Sequence, residues 1–236
     1  MNLALDIGNT AVKWATFEGH TLVERGTGID ECGKWGSVTS AMACASGDLS
    51  KYQPMLDTFD FQLSIFNTSM PLPLRLDYKT PDTLGADRLA AACGAWALHP
   101  GEDSLVIDAG TCITVDFVSG DGTYHGGAIM PGLQMNLRAL HTFTARLPLI
   151  SLDGVDKAPV LGRSTEESIV AGTLGATMLA LAGYVTLYRQ RCPSLHVLLT
   201  GGDADRLTTA GASGWELQPH LTLTGLNELM EWNKEK

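Results

Sequence analysis

Leu3-Ala-Leu-Asp6-Ile-Gly8-Asn9-Thr10, near the start of the chain, and Leu105-Val-Ile-Asp108-Ala-Gly110-Thr111, near its middle, decide the fold between them. Each is an apolar run that breaks at an aspartate two places before a glycine. Each is followed by a second strand-like run, Ala11 to Phe17 and Ile113 to Val118. Glu18-Gly19-His20 and Ser119-Gly-Asp-Gly122 then turn the chain toward a third run, Thr21 to Arg25 and Thr123-Tyr124. Aligning Asp6 with Asp108 sets Leu5 on Ile107 and Gly8 on Gly110, an offset of 102 residues. One strand ending in Asp-x-Gly is common. Two of them, each opening a hairpin, predict an internal duplication with two equivalent carboxylates facing one cleft. The expected fold is α/β in two lobes, 1–100 and 101–236, divided at the helix stop His99-Pro100-Gly101.

Composition sets the outer limits. A chain of 236 residues with 44% apolar residues and 26 glycines can bury a core in each lobe and turn tightly between short elements. Its 26 acidic against 16 basic residues leave a net charge of −10, which argues against a nucleic-acid surface built on clustered cations. An acidic protein that binds a polyphosphate must rely on magnesium and backbone donors. Cys32, Cys44, Cys93, Cys112 and Cys192 show no paired or metal-ligand spacing, and read as mostly buried thiols of a reducing, cytoplasmic compartment. The N-terminal run carries Asp6 and lacks a basic flank, so it is a strand and not a secretion signal. Ile169 to Leu187 is apolar but broken by three glycines, and is expected to be an internal helix with no membrane role.

Between the hairpins, 36–55 is expected to supply strand and helix, followed by a proline-rich loop at Pro71-Leu-Pro73. Leu84 to Leu98 is alanine-rich and predicts a helix capped by Asp82 or Thr83. Ser164-Thr-Glu-Glu167 has capping-box spacing and opens a helix to about Gln190. His196 to Thr200 is a strand delivering Gly201-Gly202, and Leu223 to Trp232 a terminal helix.

The segment Asp6-Ile7-Gly8-Asn9-Thr10-Ala11-Val12-Lys13 can hold phosphate. Gly8 allows close backbone approach, Asn9 and Thr10 add donors, and Lys13 can reach back from the next strand. It matches neither a Walker A nor a dinucleotide glycine loop. In the second copy Thr111 can donate to a phosphate and Asp108 can hold a hard cation, while Asp116 is expected to face solvent from the strand. Gly85-Ala86-Asp87-Arg88 opens a helix, where free N–H groups favour an anion. Arg88 is either one half of an ordinary salt bridge or a bidentate clamp for a substrate carboxylate. Asp87 can accept the proton of a hydroxyl attacking a γ-phosphoryl group. Gly126 to Gly132 reads as a glycine-bounded turn, and Thr200-Gly-Gly-Asp203 as either a nucleoside-binding edge or a strand-to-helix turn.

With those residues in place the chain resembles the type III pantothenate kinases over nearly its whole length. The resemblance rests on DIGNTAVKW at 6–14, TPDTLGADR at 80–88, DAGTCITVD at 108–116, GGAIMPGLQMNLRAL at 126–140, GRSTEESIVAG at 162–172 and TGGD at 200–203. It implies duplicated ribonuclease H-like lobes of the acetate kinase, sugar kinase, Hsp70 and actin superfamily, with ATP between them. It also implies ATP-dependent phosphorylation of pantothenate to 4'-phosphopantothenate, the first step of coenzyme A synthesis, by a homodimer. Magnesium and a monovalent cation, potassium or ammonium, are the implied cofactors. By resemblance, Asp6 to Lys13 and Thr111 bind ATP, Asp87 is the general base, and Asp108 binds the monovalent cation. Tyr78, Gly85, Ala86, Asp87 and Arg88 contact pantothenate, joined by Thr165 across the subunit interface. The competing expectations are another small-molecule kinase of the superfamily, acting on a sugar or carboxylate, and a nonenzymatic ATP-binding regulator.

Overall fold

The computed structural model describes residues 1–28 and 35–234, with the Met55 side chain and Cys32 outside that description. Strands β1 (Asn2–Ile7), β2 (Val12–Glu18), β3 (Thr21–Thr27) and β4 (Ser40–Ala45) lead to a short helix α1 (Gln53–Leu56) and strand β5 (Leu63–Ile65). Then come β6 (Arg75–Leu76), helix α2 (Ala86–Leu98), β7 (Ser104–Ala109), β8 (Cys112–Ser119), β9 (Thr123–Pro131) and helix α3 (Leu133–Thr142). Helices α4 (Thr165–Val170) and α5 (Ala176–Arg189) are joined without a break by the π-helical turn Ala171–Gly175. Strand β10 (His196–Thr200), helix α6 (Ala204–Ala210), strand β11 (Glu216–Leu217) and helix α7 (Leu221–Lys234) complete the chain.

The strand orders carry the duplication. One sheet runs β3-β2-β1-β4-β5, and the other, read from its far edge, β6-β9-β8-β7-β10-β11. Replacing β1 to β5 by β7 to β11 turns the first order into the second, with β6 added outside. β1 is antiparallel to β2 and parallel to β4, and β7 is parallel to β10. Even the burial agrees: β1 and β7 each show four buried residues, a half-buried aspartate and one more buried residue. Both turns after the aspartate are closed by the glycine N–H. Gly8 donates to the Ala11 carbonyl at 3.1 Å, and Gly110 to that of Cys112 at 3.1 Å, one residue tighter.

The chain forms two compact α/β units. The first takes Met1–Glu102, Asp116–Gly126 and His220–Lys236, and the second Asp103–Val115 and Gly127–Pro219. The division expected at His99-Pro100-Gly101 thus lies beside the first crossing, and two later segments return to the first unit. Helix α7 returns because it has a fitted partner in α2. A Cβ on Gly94 would stand 2.6 Å from the Leu221 carbonyl, and one on Gly225 would overlap the Ala90 carbonyl. Glycine at both positions lets the backbones approach closely, so Leu223, Leu226, Leu229 and Met230 enter the core around Leu89, Ala90, Ala92 and Cys93. In the second unit Leu105, Ile107, Ile113, Leu133, Leu174, Leu181 and Leu199 are fully buried.

Several local expectations change. Gly126 to Gly132 is not a turn: β9 runs through Pro131, and the chain turns at Gly132, the cap of α3. Asp82 and Thr83 do not cap α2. Pro81–Thr83 forms its own 3-10 turn, held by the Thr83 hydroxyl on the Thr80 carbonyl at 3.0 Å, and Gly85 is the cap. Cys44 and Cys93 are buried free thiols, but Cys112 is exposed. Ser164 caps its helix as expected, accepting from the Glu167 N–H at 3.1 Å, while Glu167 reaches back to the Arg163 N–H at 2.6 Å. The continuous helix Thr165–Arg189 is long and apolar enough to cross a membrane, yet Ile169, Val170, Leu174, Leu181 and Val185 are buried within the protein.

Candidate active site

In the first unit the functional candidates gather where β1 ends. Asp6 is the register partner of Lys13 on β2 and of Cys44 on β4. Ile7 and Val12 are core side chains, 0% and 3% exposed, so these two can offer a ligand only their backbone. Gly8 is half-buried, and Asn9 and Thr10 are exposed at the tip of the turn. The Cys44 thiol donates to Asp6 Oδ1 at 3.5 Å. Burial pushes the Asp6 carboxyl above its ordinary range; the Lys13 charge pulls it down, and the neighbouring Asp87 carboxylate pushes it up again. Burial, followed by the charges of Asp6 and Asp87, also holds the Cys44 thiol far above its usual range, which makes it a neutral wall and not a nucleophile. Gly47, which no sequence motif singled out, closes this corner. Its N–H donates to the Ile7 carbonyl at 3.0 Å, and a Cβ there would stand 2.5 Å from the Gly8 carbonyl oxygen.

Helix α2 brings Asp87 and Arg88 to the same unit with different surroundings. Asp87 is half-exposed in the first turn, and its Oδ1 accepts the Arg88 N–H at 2.8 Å. Gly85 makes room for it: a Cβ there would lie 2.6 Å from that oxygen. Ala86 is half-buried beside it. Arg88 does not pair with its sequence neighbour. It is 8% exposed, and its fork closes on Asp116 of β8, with Nε at 3.1 and 3.2 Å and Nη2 at 2.6 Å from the carboxylate oxygens. Asp116 is 1% exposed, which corrects the expectation that it faces solvent. It also accepts the Tyr124 hydroxyl at 2.6 Å. Burial pulls the guanidinium pKa down, but the hydrogen bonds and charge of Asp116 outweigh it and hold Arg88 above its usual value. Burial, followed by the Asp116 charge, raises Tyr124 well above the ordinary phenol range. Losing one partner of such a buried pair costs about 3–5 kcal/mol.

Tyr78 belongs to this cluster. It lies close enough to Arg88 to raise the guanidinium pKa, and its ring centroid lies 6.1 Å from that of Tyr124. Gly126, at φ +78°, leaves the space: a Cβ there would stand 2.8 Å from the Tyr78 ring. The sequence marked Arg88, Tyr78 and Asp116 separately. It gave no signal for their joining, because Arg88 and Asp116 lie on different elements and follow no helical or strand period.

In the second unit the other candidates surround the end of β7. Asp108 is half-buried, and Thr111 is exposed with its carbonyl accepting the Gly132 N–H at 3.1 Å. Three glycines crowd this turn. A Cβ on Gly110 would lie 3.3 Å from Asp108 Oδ1, one on Gly201 2.5 Å from the same oxygen, and one on Gly132 would overlap the carbonyls of Gly110 and Thr111. Asp203 occupies the place after β10 that Gly47 occupies after β4, since Cys44 and Thr200 are the register partners of Asp6 and Asp108 and each residue lies three further on. The Asp203 N–H donates to the Ala109 carbonyl at 2.9 Å, so the Thr200-Gly-Gly-Asp203 turn is seated against the Asp108 loop. Burial raises the Asp203 carboxyl, partly offset by Arg206. Thr165 stands exposed as the first residue of α4.

The chain is similar to known proteins along its full length. The family model described as type III pantothenate kinase matches residues 49–187. A type III pantothenate kinase of Phocaeicola vulgatus is 39% identical over 99% of both chains. One of Bacteroides fragilis is 40% identical over 99% of this chain and 98% of its own. Among solved structures, a Campylobacter jejuni protein ascribed to the Baf family of transcriptional activators is similar at a TM-score of 0.58 and 19% identity, covering 99% of this chain and 98% of its own. That likeness and the repeated strand order show a fold of two duplicated α/β units.

Proposed function

The chain belongs to the type III pantothenate kinase family, and on that premise we propose how its residues divide the work of the reaction. The protein is an ATP-dependent kinase that phosphorylates pantothenate. The observation that carries the assignment of roles is the placement of Asp87. It lies in the first turn of α2, half-exposed, close enough to Asp6 to raise its pKa, and beside an arginine locked in place. Asp87 is the general base that takes the proton of the pantothenate hydroxyl, and transfer is direct and in line, without a phosphoenzyme. Asp6 to Lys13 and Thr111 hold the ATP phosphates: the backbones of Ile7, Gly8, Ala11 and Val12 offer dipoles, and Lys13 offers charge. Tyr78, Gly85, Ala86, Arg88 and Thr165 contact pantothenate.

Asp6 fits a cation. Burial keeps it protonation-prone, and Lys13 offsets that only in part, so a nearby divalent ion would be favourable to it. Asp6 would help hold magnesium, which would supply neutralisation of charge on the transferring group. Asp108, ringed by glycine-lined backbone, is the proposed ligand of potassium or ammonium.

The functional protein is proposed to be a homodimer. Phe143, Val160, Leu161, Leu179 and Leu187 all lie exposed in the second unit, and a second copy would cover such side chains. Thr165 would then serve across that interface. The free thiols suit a reducing, cytoplasmic setting. The duplicated segments are taken as 1–100 and 101–236.

A coupled ADP-release assay tests the reading, with pantothenate, N-acetylglucosamine and acetate as acceptors and with sodium exchanged for potassium. Turnover with pantothenate alone, and more of it in potassium, is expected. Turnover with a sugar and none with pantothenate would overturn the acceptor, and none with any acceptor would favour a nonenzymatic ATP-binding role.

A further inference from the structure

Within the first unit Asp116 takes the Nε and Nη2 edge of Arg88 and the Tyr124 hydroxyl on one carboxylate, at 2.6 to 3.2 Å, while almost fully buried. That edge is one of the two with which an arginine makes a two-pronged contact with a carboxylate. Arg88 therefore cannot offer that fork to a substrate. What remains is its Nη1 side, with Tyr78 close by. Its charge is also balanced locally by Asp116, so Arg88 meets the substrate as a fixed, directional donor and not as an unpaired cation.

We propose that Asp116, steadied by Tyr124, is the positioning residue that sets Arg88 and through it Tyr78 for pantothenate, a role resting on the assignment of Arg88 and Tyr78 to that substrate. The geometry separates this from a purely structural ion pair. A pair needed only for stability could sit anywhere in the core. This one holds the residue next to Asp87, and its third donor, Tyr124, packs on the ring of Tyr78. Gly126 completes the arrangement at φ +78°, since a side chain there would push the Tyr78 ring away. A guanidinium has one plane, so fixing one edge fixes the direction of the other. Removing the Tyr124 hydroxyl loosens that plane and leaves both charges in place; changing Asp116 to asparagine replaces an acceptor with a donor against Nε or Nη2 and turns the plane.

The test is kinetic, on the full-length protein. Tyr124→Phe is expected to raise the KM for pantothenate by about three- to tenfold, and Asp116→Asn to lower kcat/KM for pantothenate by about 100-fold. Both should leave the KM for ATP within about twofold, because Asp116 and Tyr124 act through Arg88 and not through the phosphate-binding segment. The decisive readout is a double-mutant cycle: in an Arg88→Lys background, Tyr124→Phe should have no further effect on kcat/KM for pantothenate. Asp116→Glu should recover part of the loss, since it keeps an acceptor. If Asp116→Asn does not fold, Tyr124→Phe and its cycle decide. A fall in thermal stability with both KM values unchanged, or equal effects in the parent and Arg88→Lys backgrounds, overturns the inference. An unmutated protein that does not phosphorylate pantothenate overturns the earlier assignment instead.

Discussion

Replacing Asp87 with asparagine separates chemistry from architecture in this protein. The substitution changes a charge and little else in shape. Asp87 Oδ1 accepts the Arg88 N–H at 2.8 Å, and the asparagine carbonyl oxygen can accept the same bond. Gly85 leaves space for either side chain, since the tight 2.6 Å approach is to Oδ1 and is retained. The change also removes one of the influences that raise Asp6. Stability should therefore hold or improve, with a melting temperature equal to the parent's or higher by about 2 °C, the shift of under 1 kcal/mol in a chain of this size. Turnover should behave differently. Loss of a positioned general base removes about 10²- to 10⁴-fold in kcat, about 3–5 kcal/mol of barrier. ATP affinity should stay within about threefold, because the altered group is assigned to the acceptor and the lost charge repelled phosphate rather than held it. Coupled ADP release gives kcat, and calorimetric titration with a non-hydrolysable ATP analogue gives affinity. A loss of ATP affinity in step with kcat, or a fall in kcat smaller than about tenfold, would refute the reasoning and return Asp87 to a structural role.

Three further outcomes follow from the same geometry. Gly85→Ala places a Cβ against the Asp87 carboxylate, so kcat should fall by about 10- to 100-fold with the melting temperature little changed; an unaltered kcat would show that Asp87 has freedom to spare. Gly225→Ala drives a methyl group into the Ala90 carbonyl between α7 and α2, which should cost about 1–3 kcal/mol and lower the melting temperature by about 4–10 °C in a calorimetric scan; an unchanged scan would mean that the two helices can part freely. Asp6→Asn should abolish at least about 99% of turnover while raising apo-protein stability at neutral pH. The sign is fixed by the direction of the shift. Asp6 has a folded pKa above its unfolded value of 3.8, so the native state binds its proton more tightly, and the parent loses stability as pH rises through the interval between the two values. The advantage of asparagine should accordingly be present at pH 7 and vanish below about pH 3.5. A constant difference across that range in pH-dependent melts would contradict the burial of Asp6.

Much of this was legible because the chain states its plan twice. The Asp-x-Gly hairpins at Asp6 and Asp108 gave the offset, and the strand orders and burial patterns of β1 and β7 repeat it. Duplication converts two weak local signals into one strong one. The turn at Gly126 to Gly132 was misread for the opposite reason: glycines mark both turns and close approaches, and here Gly126 accommodates Tyr78 inside a strand. Asp116 was misread because a period-two pattern puts it on the face opposite Ile113 and Val115, whereas Val115 and Asp116 are buried in succession. No local spacing reports a carboxylate buried on both sides by a partner from a different helix.

The residues that sequence could not join are those without a twin. Asp6 corresponds to Asp108, Gly8 to Gly110 and, by register on the parallel neighbour strand, Gly47 to Asp203; under the proposed assignment each of these loops holds phosphate or a cation. Moving back by the same offset of 102 from Asp116 and Tyr124 reaches Trp14 and Leu22, and moving forward from Arg88 reaches Gln190. None of these could form an equivalent cluster. A symmetric pair of loops suits a polyphosphate, which presents similar oxygens along its length, but an acceptor that is phosphorylated at one hydroxyl must be held from one side. The asymmetry therefore falls where selection of the acceptor requires it. On this reasoning the Arg88–Asp116–Tyr124–Tyr78 cluster sets which molecule is phosphorylated, and changes within it should move the KM for pantothenate before they move the KM for ATP.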